Sequence, residues 1–383
     1  MKILLVNEYL EYQGAEEIVK KQYDLLGVDN EVYILAFNDG RFDKKKFYTE
    51  KYKIIRIPFV DKIIFSPIYY YIIRQFLRKI DPDLIIAHNI FSSPITVYKA
   101  FKGYKTIQVV HDYKIVCPTS KCVKDKGKTI CNGYNNNKCW RCCSHGIGKI
   151  KLRLQFEVLQ KVNYVRKKYV WLFLSPSSKL ADYLRMYGFN FKVLNNPIEL
   201  YFEHGLKKHF LKANIRTIVY VGAIREDKGV ALFLDTLINS GINFKIDLFG
   251  KIDDKYDLSR YECDSRISFK GKKEHSEILS LITEYDFMIV PSMWMENYPT
   301  TILEAMASGL VVVGSDRGGI PEMLSDSRGL VYKFGDEESL KSILTKIYNI
   351  EQDEYDMLRE RAYEYVIHNN SEKNYKNKLY EVL

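Results

Sequence analysis

Short apolar, β-branched runs ending in polar or turn residues alternate along this chain with segments of helical character, and the alternation begins twice. That pattern predicts parallel sheets of the doubly wound kind, because a strand followed by a helix returns beside its neighbour in the same direction. In the first half the runs are KILLVN (2–7), EVYILAF (31–37), LIIAHN (84–89), TIQVVH (106–111) and VWLFLSPS (170–177), with a helical stretch from Ala15 to Leu26 among those between them. In the second half they are TIVYVGAI (217–224), KIDLFG (245–250), ISFKG (267–271), FMIVPS (287–292) and VVVGSD (311–316). Helical stretches Gly229 to Ile238, His275 to Thr283 and Pro299 to Ser308 separate these. The reading is two α/β domains in series with their seam near LNNPIEL, Leu194 to Leu200. At 383 residues the chain has room for both.

Ligands of open α/β sheets bind beyond the carboxyl ends of the strands. The positions of interest are therefore Asn7 to Glu16, His88 and His111 to Tyr113 in the first half. In the second they are Gly222 to Gly229, Gly250, Gly271, Met293 to Thr301 and Ser315 to Gly319. In GAIREDKGV, Gly222 to Val230, two cations follow a glycine turn at a helix start, where Arg225 can bind oxygens bidentately and Lys228 supplies a point charge. In ENYPTTILEAMASG, Glu296 to Gly309, Pro299 suits the first helical position and Gly309 the left-handed residue past the end. The amides from Asn297 to Thr301 then favour an anion such as phosphate. Glu304 inside the helix and Glu296 before it are suited to accept hydrogen bonds from hydroxyls. Both motifs together point to a ligand with a diphosphate and many hydroxyls.

Composition bounds the rest. Hydrophobic residues at 46% and charged residues at 28% describe a soluble globular protein. MKILLVNEYLEYQ reads as a first strand rather than a secretory signal, and no apolar span is long enough for a membrane helix, so a cytoplasmic location is expected. The net charge of +10 is uneven. Lys149, Lys151, Arg153, Lys161, Arg166, Lys167 and Lys168 face the single acid Glu157 in one helical stretch, and SPIYYYIIRQFLRK (66–79) lies nearby in composition. An anionic membrane surface is one partner such helices suit; a solvated face is the plainer alternative.

The set GAIREDKGV, ENYPTTILEAMASG and DRGGIPEML (316–324), with QGAEEIVKK (13–21) and HDYKIVCP (111–118), resembles the retaining glycosyltransferases of family 4, the glycosyl transferases group 1. The resemblance covers nearly the whole chain. It implies an α/β GT-B fold, two Rossmann-like doubly wound domains facing across a cleft. The domains expected are 1–197 for the acceptor, with a Cys-rich insertion at 117–145, and 198–365 for the nucleotide-sugar donor; a C-terminal helix at about 366–383 packs back on the first. It further implies transfer of a hexose from a UDP-, GDP- or ADP-sugar to a glycan or lipid-linked glycan in cell-surface polysaccharide biosynthesis, at the inner face of the membrane.

Carried over by residue, Glu304 would hold the ribose, Glu296 would lie beside the sugar, and the amides of Asn297, Tyr298, Pro299 and Thr300 (Pro299 having none to give) would border the sugar and distal phosphate. Arg225 and Lys228, after Gly222, would neutralise the diphosphate. His111 would face the sugar, Gly14 would leave room near the phosphate or acceptor, and the base would lie against Gly250 and the loop with Lys270 and Gly271. Held cations and amides make a catalytic metal dispensable. The chain departs from the family in having Gln13 before Gly14 and valine after the glycine-leucine of GLVVV. A sugar-nucleotide epimerase of the same fold is the alternative within enzymes. A basic Cys-rich nucleic-acid-binding protein is the alternative outside them, although it leaves Glu296, Glu304, Arg225 and Lys228 unexplained; no nucleic acid is expected.

Six of the seven cysteines fall between Cys117 and Cys143. In a cytoplasmic protein such crowding favours a metal over disulfides. The C-x-x-C pair Cys139 and Cys142 with Cys117 and Cys131 makes a tetrahedral thiolate set typical of structural zinc, the arrangement that a subset of family 4 resembles. Cys122, Cys143 and His145 are alternative ligands, and an iron–sulfur cluster is the second choice of metal.

Overall fold

The computed structural model describes residues 1–8, 14–38, 54–58, 65–124, 127, 129–131, 148–199, 206, 208–212 and 214–383. The chain divides into two compact units, one of residues 1–122, 131–197 and 375–383, the other of residues 123–130 and 198–374. The seam thus falls between Pro197 and Ile198. Val123–Ile130, inside the Cys-rich segment, groups with the second unit, and only Tyr375–Leu383 of the C-terminal helices groups with the first.

The first unit is built on strands β1 (Lys2–Asn7), β2 (Glu31–Asn38), β3 (Ile54–Pro58), β4 (Leu84–Ala87), β5 (Thr106–Val109), β8 (Leu172–Ser175) and β9 (Phe191–Val193), with β6 (Val123–Lys124) and β7 (Thr129–Ile130) forming a separate antiparallel hairpin. Their order is β3-β2-β1-β4-β5-β8-β9, and every pair is parallel. Helices α1 (Gly14–Gly27), α2 (Pro67–Ile80), α3 (Pro94–Ala100), α4 (Lys149–Tyr169) and α5 (Ser178–Met186) make the crossovers. Central strands such as LLV in β1 and LIIA in β4 are buried along their length, as a sheet covered on both faces requires. Chain order reverses across β1, which has β2 on one side and β4 on the other. That reversal opens the crevice where such sheets bind ligands.

The second unit repeats the scheme with β10 (Arg216–Val221), β11 (Phe244–Phe249), β12 (Ile267–Gly271), β13 (Phe287–Val290), β14 (Val311–Ser315) and β15 (Leu330–Tyr332), in the order β12-β11-β10-β13-β14-β15. Here the reversal lies between β10 and β13. Helices α6 (Val230–Asn239), α7 (His275–Ile282), α8 (Thr300–Ala307), α9 (Ile320–Leu324), α10 (Glu337–Asn349), α11 (Gln352–Asn370) and α12 (Glu372–Tyr380) complete the fold. Two apolar clusters fill the unit, one holding Ile218, Phe244 and Phe287 and the other Val219, Met288 and Val312, so successive residues of one strand serve opposite faces.

Candidate active site

The reversal in the second sheet brings together the segments after β10 and β13. Lys228 ends a 3₁₀ turn, Glu226–Lys228, and Gly229 follows at φ +70°. A Cβ at Gly229 would lie 2.0 Å from the carbonyl oxygen of Pro291, just beyond β13, so glycine is what lets the two segments touch. Met293 N–H donates to Asp227 O at 3.1 Å across the same junction. Gly318, at φ +64°, makes a similar approach: its Cβ would lie 1.8 Å from Glu296 O, which accepts from Gly319 N–H at 2.8 Å.

At this junction Lys228 Nζ donates to Glu296 Oε1 at 2.7 Å. The same oxygen accepts from Ser292 Oγ at 2.5 Å and from Trp294 Nε1 at 2.6 Å. Burial by itself would raise the Glu296 carboxyl, but the Lys228 charge and the bonds from Lys228, Ser292 and Trp294 outweigh it and hold the group below its ordinary value. Glu296 is therefore an anion with a fixed orientation. The Trp294 ring gathers cations: Lys228 Nζ lies 4.5 Å and Arg225 Cζ 5.3 Å from its centroid. Arg225 Nε also bonds Asp227 Oδ1 at 3.2 Å. Each cation thus has an acid beside it, so the pair of charges is offset in part before any ligand arrives.

Glu304 projects from α8, and its Oε1 lies 3.1 Å from Nε2 of His275, the first residue of α7. The helix begins at Thr300, one residue later than expected, with Pro299 as N-cap and no side chain capping the first turn. Gly309 takes the left-handed conformation anticipated for it, at φ +79°. Asn297 lies in the loop before the helix. Tyr298 does not line a ligand surface through its side chain: the ring is buried among Ile302, Met306 and Val366, and its hydroxyl pairs with Tyr365 at 2.8 Å. Only its backbone remains as a donor, because the large apolar ring is worth more in the core than at the edge.

Gly222 and Gly250 abut at the ends of β10 and β11. A Cβ at Gly250 would lie 1.8 Å from Gly222 O, so this glycine is demanded by packing whatever its part in binding. Gly271 accepts from Gly250 N–H at 2.9 Å. Lys270 Nζ leans to 3.7 Å from Asp247 on β11.

In the first unit Gly14 is the first residue of α1, and no described atom would lie within 4 Å of its Cβ. His111 follows β5 and is half-buried. Its Nε2 lies 2.8 Å from Nδ1 of His88, which follows β4 and is fully buried. Burial pushes the His111 pKa down to about 4 and the His88 pKa well below its usual value, where the neighbouring His111 lowers it further. Glu8, after β1, accepts from Ser92 N–H at 2.8 Å and Ser92 Oγ at 2.5 Å, and from Phe91 N–H. It fixes the loop after β4.

Cys117 and Cys122 are buried and Cys131 is half-buried. Tyr183 donates to Cys131 O, and burial followed by the charges of Cys122, Cys131 and Cys117 raises its pKa, so these residues collect around one ring. Among the described residues these cysteines do not place three ligand atoms within 4.8 Å of one another. Cys139, Cys142, Cys143 and His145 lie outside the described residues.

Sequence reasoning did not single out Ser292, Trp294 or His275. Their signal was position alone, since Ser292 and Trp294 lie just after β13 and His275 opens a helix after β12.

Residues 203–365 match the model of the family glycosyl transferases group 1. The amylovoran biosynthesis glycosyltransferase AmsK of Erwinia amylovora is 30% identical over 149 residues, 36% of this chain and 37% of that protein. The putative colanic acid biosynthesis glycosyltransferase WcaL of Escherichia coli is 26% identical over 164 residues, 39% of this chain and 40% of that protein. The chain therefore spans well under half the length of these relatives. A crystal structure of HepE from Anabaena in complex with UDP and glucose superposes with a TM-score of 0.72 at 17% identity, covering 100% of this chain and 99% of that one. The fold is GT-B.

Proposed function

We propose that this GT-B chain, whose second unit carries a glycosyl transferases group 1 domain, transfers a hexose from a nucleotide-diphosphate sugar to a glycan or lipid-linked glycan of a cell-surface polysaccharide, with retention of anomeric configuration. The observation that carries the reading is the node of Lys228, Glu296, Ser292 and Trp294, with Arg225 beside it, at the sheet's reversal point and just ahead of the α8 N-terminus. Arg225, Lys228 and the first-turn amides of α8 meet the diphosphate, whose negative charge grows as the anomeric C–O bond breaks. Glu296 accepts from the sugar and Glu304 from the ribose. No protein nucleophile is assigned: the acceptor attacks from the leaving-group side and a phosphate oxygen takes its proton. His111 belongs to the acceptor-binding edge of the first unit. The names of AmsK and WcaL, and the UDP and glucose held by HepE, support the polysaccharide and nucleotide-sugar parts of the reading.

Two accessory features belong to it. Structural zinc held by Cys117, Cys131, Cys139 and Cys142 would order the Cys-rich segment. An anionic membrane surface would meet α2 and α4, both packed on α3, through exposed Ile68, Tyr71, Ile150 and Leu154 and the exposed cations Lys151, Arg153, Lys161, Lys167 and Lys168. Arg166 does not join that face; it is buried, bonding Asn163 Oδ1 at 2.9 Å.

The direct test is thermal stabilisation by UDP-, GDP- and ADP-sugars, then product analysis with the best donor. One of these should raise Tm saturably and yield an α product from an α-linked donor. An inverted product defeats the retaining assignment, and no stabilisation by any nucleotide defeats the donor site.

A further inference from the structure

Three buried groups of the first unit stand in a line behind the half-buried His111. His111 Nε2 lies 2.8 Å from His88 Nδ1, His88 Nε2 lies 3.0 Å from Gln22 Oε1 on α1, and Gln22 Nε2 lies 2.6 Å from the hydroxyl of Tyr375 in the C-terminal helix α12. Gln22 and His88 have no exposed surface and Tyr375 has 2%, so water does not substitute for any of these bonds. The two imidazole planes are 16° apart, which suits an in-plane N–H···N bond.

The line has one sense. Gln22 donates through its amide nitrogen to Tyr375, which turns its carbonyl oxygen, an acceptor only, toward His88. With the Gln22 amide in this orientation, His88 carries its hydrogen on Nε2. A neutral imidazole has a single N–H, so His88 Nδ1 presents a lone pair, and a second lone pair 2.8 Å away would repel it. The hydrogen between the rings thus belongs to His111 Nε2. We propose that His88 is a positioning residue that locks His111 in the neutral Nε2–H tautomer, so that His111 meets a polyhydroxylated ligand through Nδ1 as a hydrogen-bond acceptor. It orients a hydroxyl and is not the acid that protonates the leaving group. The inference rests on the acceptor-edge role proposed for His111, while the tautomer itself is independent of that role.

The experiment is long-range ¹H–¹⁵N NMR of the full-length protein labelled in histidine, without substrate. His111 should show a pyrrole-type Nε2 and a pyridine-type Nδ1 as one species at neutral pH. His88→Leu should give a mixture of His111 tautomers and lower kcat about tenfold, the equivalent of about one hydrogen bond, with the donor KM unchanged. His88→Asn, which places an amide oxygen near the lost Nδ1, should restore the single tautomer and most of kcat. If His88→Leu does not fold, Gln22→Leu takes its place in the comparison. A hydrogen on Nδ1 in the wild type, averaged tautomers in the wild type, or an unchanged tautomer in the leucine variant overturns the proposal. Because the spectrum needs no turnover, a protein with the predicted tautomer and no transfer activity would count against the function alone.

Discussion

Glu296 and Lys228 are separated by 68 positions, and reading each in its own motif treats them as independent groups. They share a 2.7 Å ion pair whose side chains are 13% and 19% exposed. Removing one member of so sheltered a pair leaves the other charge poorly solvated, a change that costs about 3–5 kcal/mol in fully buried cases and less here. For Glu296→Ala the released lysine would find a new partner in the diphosphate of the proposed donor. The variant should therefore lose thermal stability without ligand and bind a nucleoside diphosphate at least as tightly as the parent, while kcat falls by about tenfold or more. Calorimetric titration beside steady-state kinetics tests this; weaker nucleotide binding in the variant would show that Glu296 itself holds the nucleotide. What made the two motifs visible was their residue chemistry. Their pairing was not, because nothing local in either segment encodes contact with the other.

At the scale of elements, strand ends do most of the placing. β4 and β5 are neighbours in the sheet, so the histidines just after them come within hydrogen-bonding distance. Asp112, Lys114 and Arg166 line the same small cavity. Folding holds both imidazoles below the ordinary value of about 6.5, His111 at about 4. The unfolded chain therefore binds more protons in that interval, so stability is fully present above about pH 6.5 and is lost as pH falls toward 4. Each histidine contributes a slope of up to about 1.4 kcal/mol per pH unit there. Tm should drop as pH is lowered from about 7 to 5, and the drop should be shallower in His111→Gln. An equal slope would show that these groups titrate alike in both states. Long central strands were legible from apolar runs, whereas β3, β9 and β15 were not. Each is an outer or short strand, three to five residues long, too short for an apolar run to stand out, and Phe191–Val193 is in addition largely exposed.

For the whole molecule, the surplus of basic over acidic residues, 58 against 48, matters only through where it sits. Among the described residues no helix is long and apolar enough to cross a membrane. The exposed apolar and cationic residues of α2 and α4 instead suit interfacial contact, whose electrostatic part weakens with salt. Co-sedimentation with vesicles containing anionic lipid should exceed that with neutral vesicles and fall as salt rises. Replacing Lys151, Arg153 and Lys161 by glutamine should abolish the difference and leave nucleotide-induced stabilisation intact. Equal sedimentation of the parent with both vesicles would remove the membrane from the reading.

The amino-acid sequence by itself determined two parallel sheets, the phosphate-compatible start of α8, and which segments carry cations, acids and thiols. These follow from strand periodicity, from proline and glycine at φ-restricted positions, and from charge, all of which act over a few neighbouring residues. Only the tertiary structure decided that Tyr298 packs inward, that Arg166 leaves the basic face, and that Lys228 meets Glu296 while His111 meets His88. Each of those outcomes depends on which strands lie side by side and on competition for buried space, and strand order is a property of the folded sheet rather than of any stretch of chain.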